Sequence, residues 1–190
     1  MTAIVTSSYP QSIAQTGEAV LPTVTGLTAE SSGAGAFRTI TFTFDDMAVA
    51  MVDEAGVVAY AGTKILDFPE GAVAIIGAVA DLALTKSSAG INDAWDGDFG
   101  VGTVTASNNG TLATTEQNII PTTATPQAVS GVSSANGVST AALYLDGTTT
   151  PADVYLNFLI DDADHDVTGT PANLIVNGTM KLHYVWLGNH

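Results

Sequence analysis

No cysteine occurs in the 190 residues. That excludes a disulfide framework, a thiolate zinc site and a cysteine nucleophile. Basic residues are nearly missing as well: Arg38, Lys64, Lys86 and Lys181 stand against nineteen acidic residues, for a net charge of −15. Nucleic-acid binding needs a basic face to displace counterions, so nucleic acid is not an expected partner. Strong acidity favours solubility and resists non-specific association. Leu, Lys and Glu, the usual residues of surface helices, are scarce. The apolar run at 72–80 is too short to cross a bilayer, so no membrane is expected as a partner. Met1–Tyr9 carries neither a basic n-region nor a long apolar stretch, and the expectation is a protein made and assembled in a cytoplasm.

What remains is the composition of short strands joined by turns. Hydrophobic residues make up 46% of the chain, and Gly, Thr and Ser fill much of the rest. The most apolar stretch, Asp67–Thr85, follows a Pro69-Glu70-Gly71 turn signal. Its large residues occupy odd positions first (Val73, Ile75, Val79) and even positions later (Ile76, Leu82, Leu84). Extended throughout, it would reach roughly 45 Å, far beyond a usual strand. The stretch therefore predicts a strand that changes its buried face near Gly77 and leaves one sheet for another.

Residues 1–36 are rich in Ala, Thr, Ser and Gly and predict an extended N-terminal arm, with a short strand at Ala19–Leu21. Residues 37–190 predict a single domain. Ile40, Phe42 and Phe44 alternate with Thr39, Thr41 and Thr43, the pattern of a half-buried strand. Asp45-Asp46 is expected to close a turn, and Asp53–Gly56 to join Met47–Val52 to Val57–Tyr60 in a hairpin. Further strands are expected at Asp98–Ser107, at a pair formed by Thr140–Leu145 and Asp153–Ile160, and at Leu174–Leu187, where alternation runs unbroken through Asn177-Gly178. Leu112–Ile119 is a candidate two-turn helix, and residues 121–135 read as loop. Together these predict an all-β fold, an antiparallel β-sandwich or jelly-roll-like barrel with at most one short helix.

The densest polar cluster is Asp161, Asp162, Asp164, His165 and Asp166. Alternating carboxylates supply oxygen ligands of the kind Ca²⁺ takes, but the EF-hand Gly and Glu positions are absent, so a calcium loop and a solvated acidic loop stay open as readings. Asn92–Asp98 poses the same choice, and its Trp95 is a candidate subunit or capsid contact, or a cap on the sandwich. His165, His183 and His190 lie in no catalytic signature; there is no G-x-S-x-G, H-E-x-x-H or phosphate loop. No catalytic residue and no cofactor is expected.

Several phrases do resemble a known group. LDFPEG (Leu66–Gly71), the apolar run with Gly77-Ala78, NDAWDGDFGVGT (Asn92–Thr103), NIIPTTAT (Asn118–Thr125), ADVYLNFLIDDAD (Ala152–Asp164) and NGTMKLHYVWLG (Asn177–Gly188) are similar to tailed-bacteriophage virion structural proteins common among marine phages. The resemblance covers most of 37–190. It implies a non-enzymatic decoration or cement protein on the capsid exterior, with the major capsid protein as partner and a homotrimer as the assembly. The arm, with Tyr9 and Pro10, is then expected to contribute contacts. Other virion roles, as a capsid jelly roll or a tail or fibre protein, and a calcium- or carbohydrate-binding sandwich module are the alternatives.

Overall fold

The computed structural model describes residues 21–54, 58–150 and 152–188, so Tyr9, Pro10 and the Ala19–Leu21 strand, save Leu21, lie outside the described residues. Eleven strands are described: β1 (Leu27–Ala34), β2 (Phe37–Ala50), β3 (Val52–Glu54), β4 (Val58–Asp67), β5 (Gly71–Lys86), β6 (Gly97–Gly102), β7 (Ile120–Thr125), β8 (Val132–Val138), β9 (Leu143–Gly147), β10 (Asp153–Asp161) and β11 (Asn173–Gly188). They form two antiparallel sheets. The first has the order β1-β2-β11-β5-β8, with β9 also beside β5; the second has the order β3-β4-β10-β6-β7. The all-β sandwich is thus present. Its inner strands, β2-β11-β5-β8 against β4-β10-β6-β7, follow the wrapped order of a jelly roll.

Sequence patterns explain why the long strands bend where they do. In β2, Ile40, Phe42 and Phe44 are buried at even positions, whereas Met47 and Val49 are buried at odd ones. The two aspartates expected to close a turn form a bulge between these halves, with Asp46 at φ 52°. Asn177 fastens it from β11: its Oδ1 accepts from the Asp46 N–H at 2.9 Å and its Nδ2 donates to Asp46 Oδ1 at 3.0 Å. Gly178, at φ 123°, sits where an added Cβ would lie 2.2 Å from the Asp81 carbonyl oxygen. The Asn-Gly pair is an irregularity inside one 16-residue strand and not a hairpin, in agreement with the unbroken alternation.

The same device operates in β5, and here one expectation is corrected. Val73 and Ile75 point into the core, Ile76 bulges out, and Ala78, Ala80, Leu82 and Leu84 then point inward. The parity change at Ile76–Gly77 is real, but β5 does not change sheets; all 16 residues stay in the first sheet. The bulge keeps one face buried while the neighbour on the far edge switches from β9 (71–75) to β8 (79–85). The strand path that crosses between sheets is β2 to β3, with Met51 alone between them.

Four further differences have local causes. Leu27–Ala34 is not arm but an edge strand, hairpinned to β2 through Gly35 (φ 62°) and Ala36; few apolar side chains are needed there because only Leu27 and Ala29 are buried. β9 and β10 do not pair with each other, because they belong to opposite sheets. The expected helix is a 3-10 turn over Thr114–Glu116. The expected 121–135 loop holds β7 and the start of β8, strands built from Thr, Ser and Ala.

The core fills the space between the sheets as one contiguous cluster, with Phe68 edge-on to Tyr184 at 5.0 Å and Phe99 tilted on Phe158 at 6.0 Å. The outer face of the second sheet is also covered, by the 103–119 segment. Ala106 and Leu112 pack there with Val58 and Leu159. Fully buried Asn157 anchors this cover: Oδ1 accepts from Ala106 N at 2.8 Å, and Nδ2 donates to the carbonyls of Val104 (2.9 Å) and Glu116 (2.7 Å).

Candidate functional site

A jelly roll gathers alternate loops at one end, and here it unites the two Asp-rich segments. The β5–β6 loop and the β10–β11 loop are laced through their backbones: Asn92 N donates to the Asp164 carbonyl (2.8 Å), Asp166 N to the Gly90 carbonyl (2.9 Å), and Ile91 bridges His165. Side chains add Asn92 Nδ2 to the Ala163 carbonyl (3.0 Å) and Asp96 N to Asp164 Oδ2 (3.1 Å). Gly90 is needed for this approach, since a Cβ would sit 2.0 Å from the Thr170 carbonyl oxygen.

Carboxylates crowd as a result. Burial first, then a hydrogen bond shared with Asp164 and the charges of Asp161, Asp164 and Asp98, push the Asp96 carboxyl above its ordinary value. Burial and the Asp161 charge raise Asp98 in the same way. Of the four expected ligands, Asp161 and Asp164 face this cluster, and Asp166 Oδ1 instead accepts from Gly169 N at 3.3 Å. Nothing is described for the Asp162 side chain. Among the described residues, no group of three or more acidic, His or Cys side chains is arranged to hold a metal ion.

Trp95, a candidate contact or a cap on the sandwich, is 1% exposed. Its Nε1 donates to the Gly131 carbonyl at 3.2 Å, and its own carbonyl accepts from Ala128 N at 2.7 Å. The indole plugs this end of the core and offers no surface to a partner. Lys86 closes the same corner, donating to the Ile91 carbonyl (2.8 Å) and pairing with Asp93.

A cluster that sequence reasoning did not single out joins the ends of β4 and β10. Lys64 Nζ reaches Asp67 Oδ2 (3.1 Å) and both Asp153 oxygens (3.4 Å), and the Tyr155 hydroxyl donates to Asp153 Oδ2 (3.1 Å). Burial and a hydrogen bond with Asp153 raise Asp67. Burial also acts on Asp153, but its hydrogen bonds with Asp67 and Tyr155 and the Lys64 charge outweigh it and hold Asp153 low. Only the Asp153↔Asp67 strand register brings these residues together, so no local motif could have revealed them.

The broadest candidate surface is the outer face of the first sheet, which no described segment covers as 103–119 covers the second. Cross-strand rows run over it. Phe37–Val185–Ala74–Tyr144 is one, flanked by Ile76 and Leu187. Thr41–Lys181–Val79–Val138 is another. Phe37 (63%), Tyr144 (61%), Val138 (62%) and Ile76 (51%) are strongly exposed. His183, between the rows, has Nδ1 2.8 Å from Thr39 Oγ1. Comparison with protein-family models, with curated proteins and with solved structures gives no match in any of the three.

Proposed function

We propose that the chain is a non-enzymatic structural protein of a tailed-bacteriophage virion, a decoration or cement protein that binds the major capsid protein lattice from outside and stabilises the head. The observation that carries this reading is the jelly-roll strand order of the two sheets. That architecture serves viral capsid and lectin domains. Fold alone assigns no function, and the virion context comes from the sequence phrases. Most of them fall in β5, β6, β10 and β11, inner strands of the two sheets, so the resemblance is one of scaffold.

On this reading the protein is made in the host cytoplasm and takes its place as a homotrimer about a local threefold axis only on the capsid exterior. Each contact is weak, and repetition by symmetry makes the sum stabilising. Quantitative mass spectrometry of purified virions tests it. A copy number comparable to that of the major capsid protein is expected; a handful of copies per particle overturns the cement role and points to a tail or fibre position.

A further inference from the structure

We propose that the open face of the first sheet is a self-association surface, on which a second copy of this chain packs face to face about a twofold axis. The inference rests on the face itself and not on the virion reading.

The strand register sets out what the face presents. From one end to the other its rows are Ala34–Phe37–Val185–Ala74–Tyr144, then Ser32–Thr39–His183–Gly77, then Glu30–Thr41–Lys181–Val79–Val138, then Thr28–Thr43–Thr179–Asp81–Asn136, and lastly Ala48–Ile175–Thr85–Val132 beyond Asn177–Ala83–Ser134. The row remote from the acidic loops is apolar, and the rows after it mix Thr, Ser and Asn with Val79, Val138, Ile175 and Val132 and with the charged Glu30, Lys181 and Asp81. Apolar side chains interleaved with uncharged polar ones, with few charges among them, are the make-up of a protein interface. Most of the large apolar residues that the described chain exposes (Phe37, Ile76, Val79, Val132, Val138, Tyr144 and Leu187) stand on this sheet.

Size agrees. Five strands across and about eleven residues along give a face roughly 20–25 Å by 35 Å, on the order of 800 Å², which is what a standard interface takes from each partner.

Charge selects the occupant. A copy carrying −15 repels another copy over most of its surface. This face carries Lys181 together with Glu30 on the same row and Asp81 diagonally adjacent, so it holds both halves of an ion pair. Lys64 and Lys86 are paired within the chain, and Lys181 has no partner among the described residues. A twofold operation is self-complementary: it brings the lysine of each copy towards a carboxylate of the other and leaves the acidic loop ends apart.

Sedimentation equilibrium of the full chain across the micromolar range tests this. A monomer–dimer equilibrium is expected. Tyr144→Asp and Val138→Asp, at positions with no core packing to lose, each weaken it at least tenfold, whereas Val104→Asp, exposed on the segment that covers the second sheet, leaves it unchanged. Lys181→Glu weakens the dimer, and Lys181→Glu combined with Asp81→Lys recovers most of the loss. A wild-type chain that stays monomeric throughout overturns the proposal, whatever else covers the face. So does a dimer or trimer that the Tyr144 and Val138 substitutions leave intact. Absence from virions, by contrast, would remove the cement reading and leave this one standing.

Discussion

At the scale of single residues, the side chain on which most backbone depends is Asn157. Its amide satisfies three buried backbone groups that the 103–119 cover brings down onto the second sheet. Neighbouring Glu116, also buried, accepts from Ser107 Oγ (2.7 Å) and Ala113 N (2.6 Å). Asn157→Ala should cost about 2–4 kcal/mol in urea unfolding, since orphaned buried groups carry their full desolvation penalty. Asn157→Asp should be no milder, because it removes both donors; a neutral result would mean that water replaces the amide. Asp96 makes a prediction of opposite sign. Its folded pKa is raised by burial and by neighbouring carboxylates. Whatever this environment contributes to stability is fully present below the unfolded value near 3.9 and is lost as pH rises through the folded pKa. Asp96→Asn should therefore raise the melting temperature at pH 7, and the gain should fade as the pH falls towards about 3.9. A gain independent of pH would exclude the carboxylate crowding as its cause.

Strands are the scale at which the alternation of side chains could be tested against the fold. Ile75 and Ile76 are adjacent and chemically identical, yet Ile75 is 1% exposed and Ile76 51%. Ile75→Ala should cost about 2–5 kcal/mol, and Ile76→Ala should stay within about 0.5 kcal/mol; denaturant midpoints of the pair give the comparison directly. Equal costs would place both in the core and remove the bulge. The parity change at this point was legible in the sequence, because a buried face selects large residues at every second position. Its consequence was not legible, because a bulge and a sheet crossing leave the same local pattern. The crossing lies at Met51, where a hydrophobic run simply continues and carries no signal. β7 and β8 were hidden for a related reason: Thr, Ser and Gly fill strands as readily as loops when a neighbouring sheet supplies the packing, and Gly137 lies so close under Phe99 and Ile120 that a Cβ would meet each at 2.6 Å. The two Asp-rich segments were visible as compositions, and their meeting required the topology. For Trp95 the polar neighbours left a cap on the sandwich and a contact both open, and the structure shows the cap: it is the largest fully buried side chain among the described residues.

For the whole molecule, the governing quantity is the imbalance between nineteen acidic and four basic residues. Two lysines are already engaged inside the chain, Lys64 by Asp67 and Asp153 and Lys86 by Asp93. The remaining carboxylates act mainly as a field of one sign that opposes both folding and the approach of another copy. The open face of the first sheet offers apolar burial, which salt does not screen, and few ion pairs, which it does. Like-charge repulsion between whole copies acts over distances comparable to the Debye length, about 30 Å at 0.01 M salt and about 3 Å at 1 M. Raising sodium chloride across that range should therefore strengthen dimerisation and raise the melting temperature together. Lys181→Glu should increase the salt dependence of association, since it replaces an attraction at the centre of the face with a further repulsion. Sedimentation equilibrium and thermal unfolding at matched salt concentrations measure both effects. Association that weakens with salt would mean that ion pairs of Lys181, not the apolar rows, hold the copies together.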